Sequence, residues 1–289
     1  MKIKAYTLNA FAKTAAGGNP AGVVINNHNL SDNDMKKIAA KLGLSETAFV
    51  LRSDCADFKV RFFTPKEAID LCGHATVGTF SALTSLGIIK PGLYTQETKA
   101  GIFNVEVRSD LSIMMNQRVP GFYEIINRSE IADSLNITTG AITADLPVQI
   151  VSTGLRDILV PVKNIKILDS INPDFKKIAA ISRKYQVTGY HVFSLESLNH
   201  SNAQCRNFAP LVEIPEESAT GTSSGALACY LFKYGKVNAI AANHLVFEQG
   251  YSMKKPSEII VSLGIEDNEI IEVKVGGKAL TLTEIEVEF

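Results

Sequence analysis

The sequence predicts an α+β fold made of two similar halves, in each of which a β-sheet curls around one central buried helix. Two observations predict it. Short motifs recur in the same order about 145 to 149 residues apart, and each half contains one charge-poor apolar segment of helical length. The chain has 289 residues, beyond the roughly 250 at which a single core tends to split. Two domains related by a pseudo-twofold axis are therefore expected.

The repeat is visible at four places. Residues 61–65 (RFFTP) and 206–210 (RNFAP) both read RxFxP, at an offset of 145 residues. Three further matches have similar offsets. The charge-poor run from Gly73 to Gly87 matches the run from Gly221 to Gly235, the apolar segment around Phe49 matches the one around Phe193, and Gly101 matches Gly250. Four matches in one order are harder to attribute to chance than one. They indicate a duplication, with expected domains at 1–118 plus 279–289 and at 119–278.

Both halves contain a segment that predicts a buried helix. Residues 72–83 carry no formal charge apart from a possible proton on His74, and residues 222–234 carry only Lys233. A helix that is apolar all round is buried rather than amphipathic. A different pattern occurs at residues 31–43, where SDND is followed by MKKIAAKLG. It predicts a capping box, an amphipathic surface helix and a glycine exit at Gly43.

Composition and charge exclude several classes of protein. Lysine and arginine total 29 and aspartate and glutamate total 30, and the charges are scattered singly, so we expect neither nucleic acid nor membrane as a partner. The sequence has no signal-peptide pattern and no membrane-length apolar run, and a cytoplasmic location is therefore expected. The four cysteines form no CxxC pair and the five histidines form no cluster. We expect no disulfide and no protein-bound metal.

The glycine-containing turns before the two buried helices predict where a ligand binds. They read CGHAT at residues 72–76 and ATGTSSG at 219–225. If the halves face each other, the two helix N-termini converge in a cleft, where free N–H groups favour a carboxylate or another small anion. The alternative is that the glycines merely permit close helix packing.

Acidic and basic residues that have no similar residue at the matching position of the other half are candidates for catalysis. Glu46 lies between the helix exit at Gly43 and an apolar strand, where the second half has Tyr190 or His191. Partial desolvation there is expected to raise its pKa and suit it to proton transfer. The alternatives are a turn cap or an ion pair with Arg52. Further candidates are His74 and the adjacent pair Glu216 and Glu217, for which ordinary structural roles stay open.

Seven motifs together resemble the phenazine-biosynthesis PhzF-like family, and they are GGNPAGVV (17–24), LSETAFV (44–50), RFF (61–63), EAIDLCGHATVGT (67–79), TKAG (98–101), RNFAP (206–210) and EESATGTSSGALACYL (216–231). The resemblance covers nearly the whole chain. It implies the diaminopimelate epimerase-like fold, commonly assembled as a homodimer. It also implies an isomerase, without metal or organic cofactor, that moves a carbon-bound proton on a small, conjugated carboxylic acid.

The resemblance also implies roles for particular residues. Glu46 matches the general base and acid, while His74 and Glu217 match positions that hold and polarise the substrate. The substrate-binding candidates are the residues around the two helix starts together with one upstream position: Asn19, Gly73, Ala75, Thr76, Thr220, Gly221, Thr222 and Ser223.

The sequence departs from the family pattern at several positions. The second-half signature usually reads EDPATGS, whereas this chain has EESATGT at residues 216–222. The acid at Glu217 is thus one methylene longer, which puts the phenazine substrate in doubt. Asn9 stands where relatives commonly have aspartate. Two other readings stay open: an amino-acid epimerase that uses Cys72, although the second half offers Thr220 in place of a second thiol, and a small-acid-binding protein without catalysis.

Overall fold

The structure is a computed structural model that describes residues 1–25 and 30–289. The chain divides into two compact units. Unit 1 comprises residues 1–116 and 276–289, and unit 2 comprises residues 117–275. No helix among the described residues is long and apolar enough to span a membrane.

Strands dominate the described secondary structure. In chain order the elements are β1 (Lys2–Ala10), β2 (Asn19–Ile25), α1 (Asp32–Leu42), β3 (Thr47–Leu51), β4 (Phe58–Phe63), β5 (Ala68–Ile69), α2 (Gly73–Ser85), β6 (Gly92–Thr98), β7 (Gly101–Val107), β8 (Ile113–Gln117), β9 (Gly121–Ile125), α3 (Arg128–Ser134), β10 (Gln149–Ser152), β11 (Arg156–Val162), α4 (Ile165–Ser170), α5 (Phe175–Tyr185), β12 (Gly189–Ser194), β13 (Ala203–Ala209), β14 (Ile214–Glu217), α6 (Gly221–Lys233), β15 (Leu245–Gln249), β16 (Ser257–Glu266), β17 (Glu269–Gly277) and β18 (Ala279–Glu288).

The two units repeat one succession of strand pairings. In unit 1, β18, β1, β2, β3, β4, β6, β7 and β8 pair in that order, with β2–β3 and β4–β6 parallel, the other contacts antiparallel and β5 paired to β4. In unit 2, β9, β10, β11, β12, β13, β15 and β16 follow the same pattern, with β14 paired to β13. The predicted α+β fold of two similar halves is confirmed.

Helices α2 and α6 form the centre of their units, as the scarcity of charge predicts. Every side chain from residue 74 to 83 is buried, and so is every one from 223 to 231. The polar side chains of α2 are tolerated because Thr76, Thr79 and Thr84 donate their hydroxyls to carbonyls four residues back, at 2.7 to 2.8 Å. α2 packs against β1, β2, β3 and β18, and α6 packs against β10, β11 and β16.

The RxFxP repeat has a structural explanation. In both copies the arginine guanidinium lies over the phenylalanine ring two residues further on, 5.1 Å from the ring centroid for Arg61 and 4.9 Å for Arg206. Each arginine also makes two parallel hydrogen bonds to a carboxylate, Arg61 to Asp32 at 2.5 and 2.8 Å and Arg206 to Glu216 at 2.8 and 2.9 Å. Alternate residues of a strand share a face, which brings the arginine and the ring together. Glu216 is thereby committed to an ion pair.

The capping prediction for α1 is also confirmed. Ser31 Oγ accepts a hydrogen bond from the Asp34 N–H at 3.2 Å, and Asp34 Oδ2 accepts one from the Ser31 N–H at 3.1 Å. Gly43 ends the helix with a φ of 65°, a conformation that favours glycine. The apolar face formed by Met35, Ile38 and Ala39 is buried. Because α1 ends at Gly43, the chain reaches Glu46 three residues later, directly before the next strand.

Candidate active site

Three side chains with acid–base chemistry meet in unit 1. Glu46 directly precedes β3, and its carbonyl accepts a hydrogen bond from the Gly22 N–H of β2 at 3.0 Å. His74 is the second residue of α2, and Cys72 is the N-cap residue of the same helix. Strand pairing on one side and the helix start on the other therefore hold these groups in place.

The His74 ring lies between the carboxylate and the thiol. Its Nε2 is 3.0 Å from Glu46 Oε2, and its Nδ1 is 3.4 Å from Cys72 Sγ. The Glu46 side chain is 14 % exposed and that of His74 8 %. The Glu46–His74 contact is close, although it is poorly aligned for a linear hydrogen bond. An imidazolium can donate to both neighbours at once, because both of its nitrogens then carry protons.

The charges of this cluster shift two pKa values in opposite directions. Burial disfavours the charged form of His74, but the Cys72 sulfur and then the Glu46 carboxylate outweigh burial and raise the pKa of His74 well above its usual range. Burial alone would raise the pKa of Glu46, but the contact with His74 outweighs it and lowers that pKa. The expectation of a raised Glu46 pKa was wrong, because it considered desolvation without the imidazolium. The contact with His74 therefore holds Glu46 in its ionised form.

The start of α2 offers hydrogen-bond donors beside this cluster. Cys72 makes no side-chain cap, and the N–H groups of Gly73, His74 and Ala75 have no acceptor among the described residues. Such groups at a helix N-terminus favour an anion. The Thr76 hydroxyl is committed elsewhere, since it donates to the Cys72 carbonyl at 2.8 Å and accepts from Gln96 at 3.1 Å. Asn19 is buried at the first position of β2.

The predicted residues of the second half gather at the start of α6. Thr220 is the N-cap residue without a side-chain cap, and its hydroxyl instead donates a short hydrogen bond to Glu217 Oε2. Gln249 fixes this turn, since its Nε2 donates to the Glu217 carbonyl at 2.7 Å and its Oε1 accepts from the Thr220 N–H at 3.2 Å. The N–H groups of Gly221, Thr222 and Ser223 have no acceptor among residues 1–25 and 30–289.

A buried polar network underlies the start of α6. The Ser223 hydroxyl donates to Asp157 Oδ2 at 2.6 Å and accepts from Asn207 Nδ2 at 3.1 Å. Asn207 Nδ2 also lies 3.2 Å from His191 Nδ1. Burial, reinforced by the charge of Glu217, raises the pKa of Asp157 to about 6, and burial lowers the pKa of His191 to about 3. The Ser223 hydroxyl is thus engaged within the protein.

Asp157 and Asn207 were not among the residues predicted from the sequence. The repeat did contain a signal for Asn207. It occupies the position in RNFAP where the first half has Phe62, and it is therefore a polar residue inside a buried strand. The strand register also corrects the counterpart of Glu46. Phe49 pairs with Arg61 and Val192 pairs with Arg206, which matches Glu46 with Gly189 and not with Tyr190 or His191.

The predicted residues therefore fall into two groups, one in each unit. Glu46 and His74 are in direct contact beside Gly73, Ala75 and Thr76, whereas Glu217 is in contact with Thr220 at the start of α6 beside Gly221, Thr222 and Ser223.

Known proteins resemble this chain over nearly its whole length. The family model described as phenazine biosynthesis-like protein, PhzC-PhzF, matches residues 8–285. The uncharacterized isomerase YfhB of Bacillus subtilis is 32 % identical over 278 residues, covering 94 % of each chain. The trans-2,3-dihydro-3-hydroxyanthranilate isomerase of Pseudomonas chlororaphis is 26 % identical, covering 95 % of each chain.

Solved structures agree on the fold. The PhzF-family phenazine biosynthesis protein of Bacillus anthracis superposes with a TM-score of 0.89 at 30 % identity, with 100 % of both chains covered. A hydroxyproline epimerase from Agrobacterium vitis shares the fold at 13 % identity, with a TM-score of 0.62 and coverage of 99 % of this chain and 92 % of that one. The diaminopimelate epimerase-like fold is thus confirmed. The chain belongs to the PhzC-PhzF family of phenazine biosynthesis-like isomerases.

Proposed function

We propose that this isomerase moves a proton from one carbon to another on a small, unsaturated, cyclic carboxylic acid, with Glu46 as the group that carries the proton. The observation that carries the proposal is the 3.0 Å contact between Glu46 and His74 beside the uncapped start of α2. The contact keeps Glu46 ionised, and the uncapped start supplies donors for an anion.

The reaction requires no change in oxidation state. The Glu46 carboxylate takes a proton from a carbon of the substrate, and the electron pair of the C–H bond delocalises into the conjugated system. Protonated Glu46 then returns the proton at another carbon of that system, which regenerates the carboxylate. Hydrogen-bond donors near the developing negative charge lower the barrier because they are already oriented.

His74 serves as the partner of Glu46 in this scheme. As an imidazolium it stabilises the carboxylate before proton abstraction, and it keeps Oε2 oriented between the two proton transfers. Its raised pKa means that the imidazolium persists at neutral pH.

The substrate proposed for testing first is trans-2,3-dihydro-3-hydroxyanthranilate, the compound for which the Pseudomonas chlororaphis relative is named. Glu217 is a candidate for a second polar contact to such a substrate. Its carboxylate is hydrogen-bonded to Thr220, so a substrate that binds Glu217 competes with or extends that bond. We further propose that the protein acts as a homodimer without metal or organic cofactor, which light scattering and assays after chelator dialysis check.

The experiment follows solvent deuterium incorporation into this compound by NMR, with enzyme dialysed against a chelator. Glu46→Gln is expected to reduce incorporation by about 10²- to 10⁴-fold, the usual contribution of a general acid–base group. The matched control is Glu67→Gln, which removes an exposed carboxylate of the same unit and is expected to leave the rate unchanged. Exchange that survives Glu46→Gln intact would assign the base to another group.

An epimerase reaction is the second candidate, and the 3.4 Å contact between Cys72 Sγ and His74 Nδ1 is the observation that favours it. That reaction uses two opposed thiols, whereas the N-cap residue of α6 is Thr220. Racemisation of a chiral amino acid that is abolished by Cys72→Ala would support this candidate. Racemisation that is absent in the wild-type protein would eliminate it.

A further inference from the structure

The ligand atoms of Glu46, Cys72 and His74 all lie within 4.8 Å of one another, a grouping of metal-binding types found at this one place among residues 1–25 and 30–289. We propose that these three side chains bind a single divalent cation of the zinc type, and that the bound cation inhibits the isomerase by occupying its proton-transfer group. The metal is an inhibitor in this scheme, and not a cofactor.

The distances suit such an ion. A tetrahedral zinc site with bonds of about 2.3 Å to sulfur and about 2.0 Å to nitrogen and oxygen places its ligand atoms roughly 3.5 Å apart. His74 Nε2 lies 4.0 Å from Cys72 Sγ and 3.0 Å from Glu46 Oε2. These two separations bracket the tetrahedral value, and the ligand atoms of Glu46 and Cys72 lie within 4.8 Å of each other. Side-chain movements of about an ångström therefore complete the geometry.

The chemistry of the three donors favours zinc over harder cations. A thiolate and an imidazole select borderline and soft metals, whereas magnesium and calcium prefer oxygen alone. Binding of the ion displaces the proton of the His74 imidazolium and that of the Cys72 thiol. The thiolate and the Glu46 carboxylate then balance the two positive charges of the ion, so the complex is neutral and is not repelled by the positive end of α2. Three protein ligands leave a fourth position open, as in catalytic zinc sites.

The other cysteines provide internal controls. Burial raises the pKa of Cys205 above its usual range and that of Cys229 to about 12, so these thiols resist ionisation and metal binding. Cys55 is exposed, and no grouping of three ligand types within the described residues includes it. A thiolate-bound ion is therefore specific to Cys72.

Cobalt binding to the full chelator-treated chain tests the site without any substrate. Co²⁺ added alone is expected to bind at one ion per chain and to produce the near-ultraviolet charge-transfer absorption of a thiolate–cobalt bond, which Zn²⁺ then removes by displacement. Cys72→Ser is expected to lose this absorption and to weaken binding by at least about tenfold, since even outer-shell partners of a metal contribute 10- to 100-fold. Cys55→Ser is expected to match the wild type.

Circular dichroism of Cys72→Ser and a second variant, Cys72→Ala, checks that both are folded. A wild-type protein without the thiolate absorption, or a folded Cys72 variant that keeps it, would overturn the proposal.

Inhibition of the isomerase by the bound ion rests on the proposed function, and it is measured separately as the rate of substrate exchange. Zn²⁺ is expected to stop substrate exchange in proportion to site occupancy, and a chelator is expected to restore it. Exchange that continues at full occupancy would overturn the inhibition. If the wild-type protein shows no exchange at all while the cobalt absorption is present, the proposed function fails and the metal site stands.

Discussion

Replacing Asp157 by asparagine tests the electrostatics of the buried network in unit 2. Asp157 is 3 % exposed, and its pKa of about 6 lies some 2 units above the ordinary 3.8. Burial is the main cause and the charge of Glu217 adds to it, while hydrogen bonds from Ser223 and Gly189 oppose it. At 1.36 kcal/mol per pKa unit, the shift corresponds to about 3 kcal/mol.

The sign of the effect follows from which state holds the proton more tightly. Between pH 3.8 and about 6 the folded protein keeps the proton on Asp157 while the unfolded chain releases it. The contribution of Asp157 to the free energy of unfolding therefore falls by about 3 kcal/mol as the pH rises through this window, and it stays low above it. Asparagine does not titrate, so Asp157→Asn escapes this loss. The free energy of unfolding of the variant minus that of the wild type is expected to rise by about 3 kcal/mol between pH 4 and pH 7.

Urea unfolding at four pH values from 4 to 7 measures this difference. Asp267→Asn is the matched control, because it makes the same chemical change at an exposed turn residue of the same unit with a φ of 48°. The difference between control and wild type is expected to stay constant with pH. A constant difference for Asp157→Asn as well would refute the assignment of a raised pKa to this carboxyl.

Three further substitutions test other parts of the account. His191→Phe is expected to remove an acid sensitivity of about 3 kcal/mol between pH 7 and pH 4. A pKa of about 3 in the folded state against about 6.5 in the unfolded chain means that stability is lost as the pH falls below 6.5. Urea unfolding at pH 4 and 7 checks this, and an unchanged dependence on pH contradicts it. His74→Gln is expected to shift the Glu46 limb of the pH profile of kcat/KM upward, because the contact that lowers the pKa of that carboxyl is lost while its burial remains. An unmoved limb would assign it to another group. Gly189→Ala would place a methyl group 2.0 Å from the Phe208 carbonyl oxygen and is expected to cost about 3 kcal/mol of stability. Gly154→Ala serves as its control, because its methyl group meets only an ordinary contact at 3.9 Å. Equal stability of the two variants would contradict the packing described for Gly189.

Sequence reasoning reached the features that depend on local pattern. The scarcity of charge in residues 72–83 and 222–234, where Lys233 near the end is the exception, predicted buried helices because a charge in the core needs a partner. The spacing of Ser31, Asp34 and Gly43 predicted α1 because capping is a short-range interaction. The repeated RxFxP motif predicted duplication, although not that each arginine binds a carboxylate.

The side-chain contacts that determine the pKa values of the site could not be predicted from the sequence, because they join residues that are far apart along the chain. Glu46 and His74 are 28 residues apart in sequence, and only the packing of α2 against β3 brings their side chains to 3.0 Å. That contact reverses the pKa shift that burial alone implies. Asp157 and Ser223, which are 66 residues apart, similarly meet only in the folded unit.

The central claim is that Glu46 carries the proton, and the most direct measurement compares substrate binding with turnover in Glu46→Gln. Calorimetry with trans-2,3-dihydro-3-hydroxyanthranilate gives the affinity, and NMR in D₂O gives the rates of isomerisation and of deuterium incorporation. We expect an affinity within about tenfold of the wild type, with both rates reduced together by about 10²- to 10⁴-fold, since a group that acts in the transition state affects kcat more than binding. A variant that binds the substrate and isomerises it within about tenfold of the wild-type rate would contradict the claim.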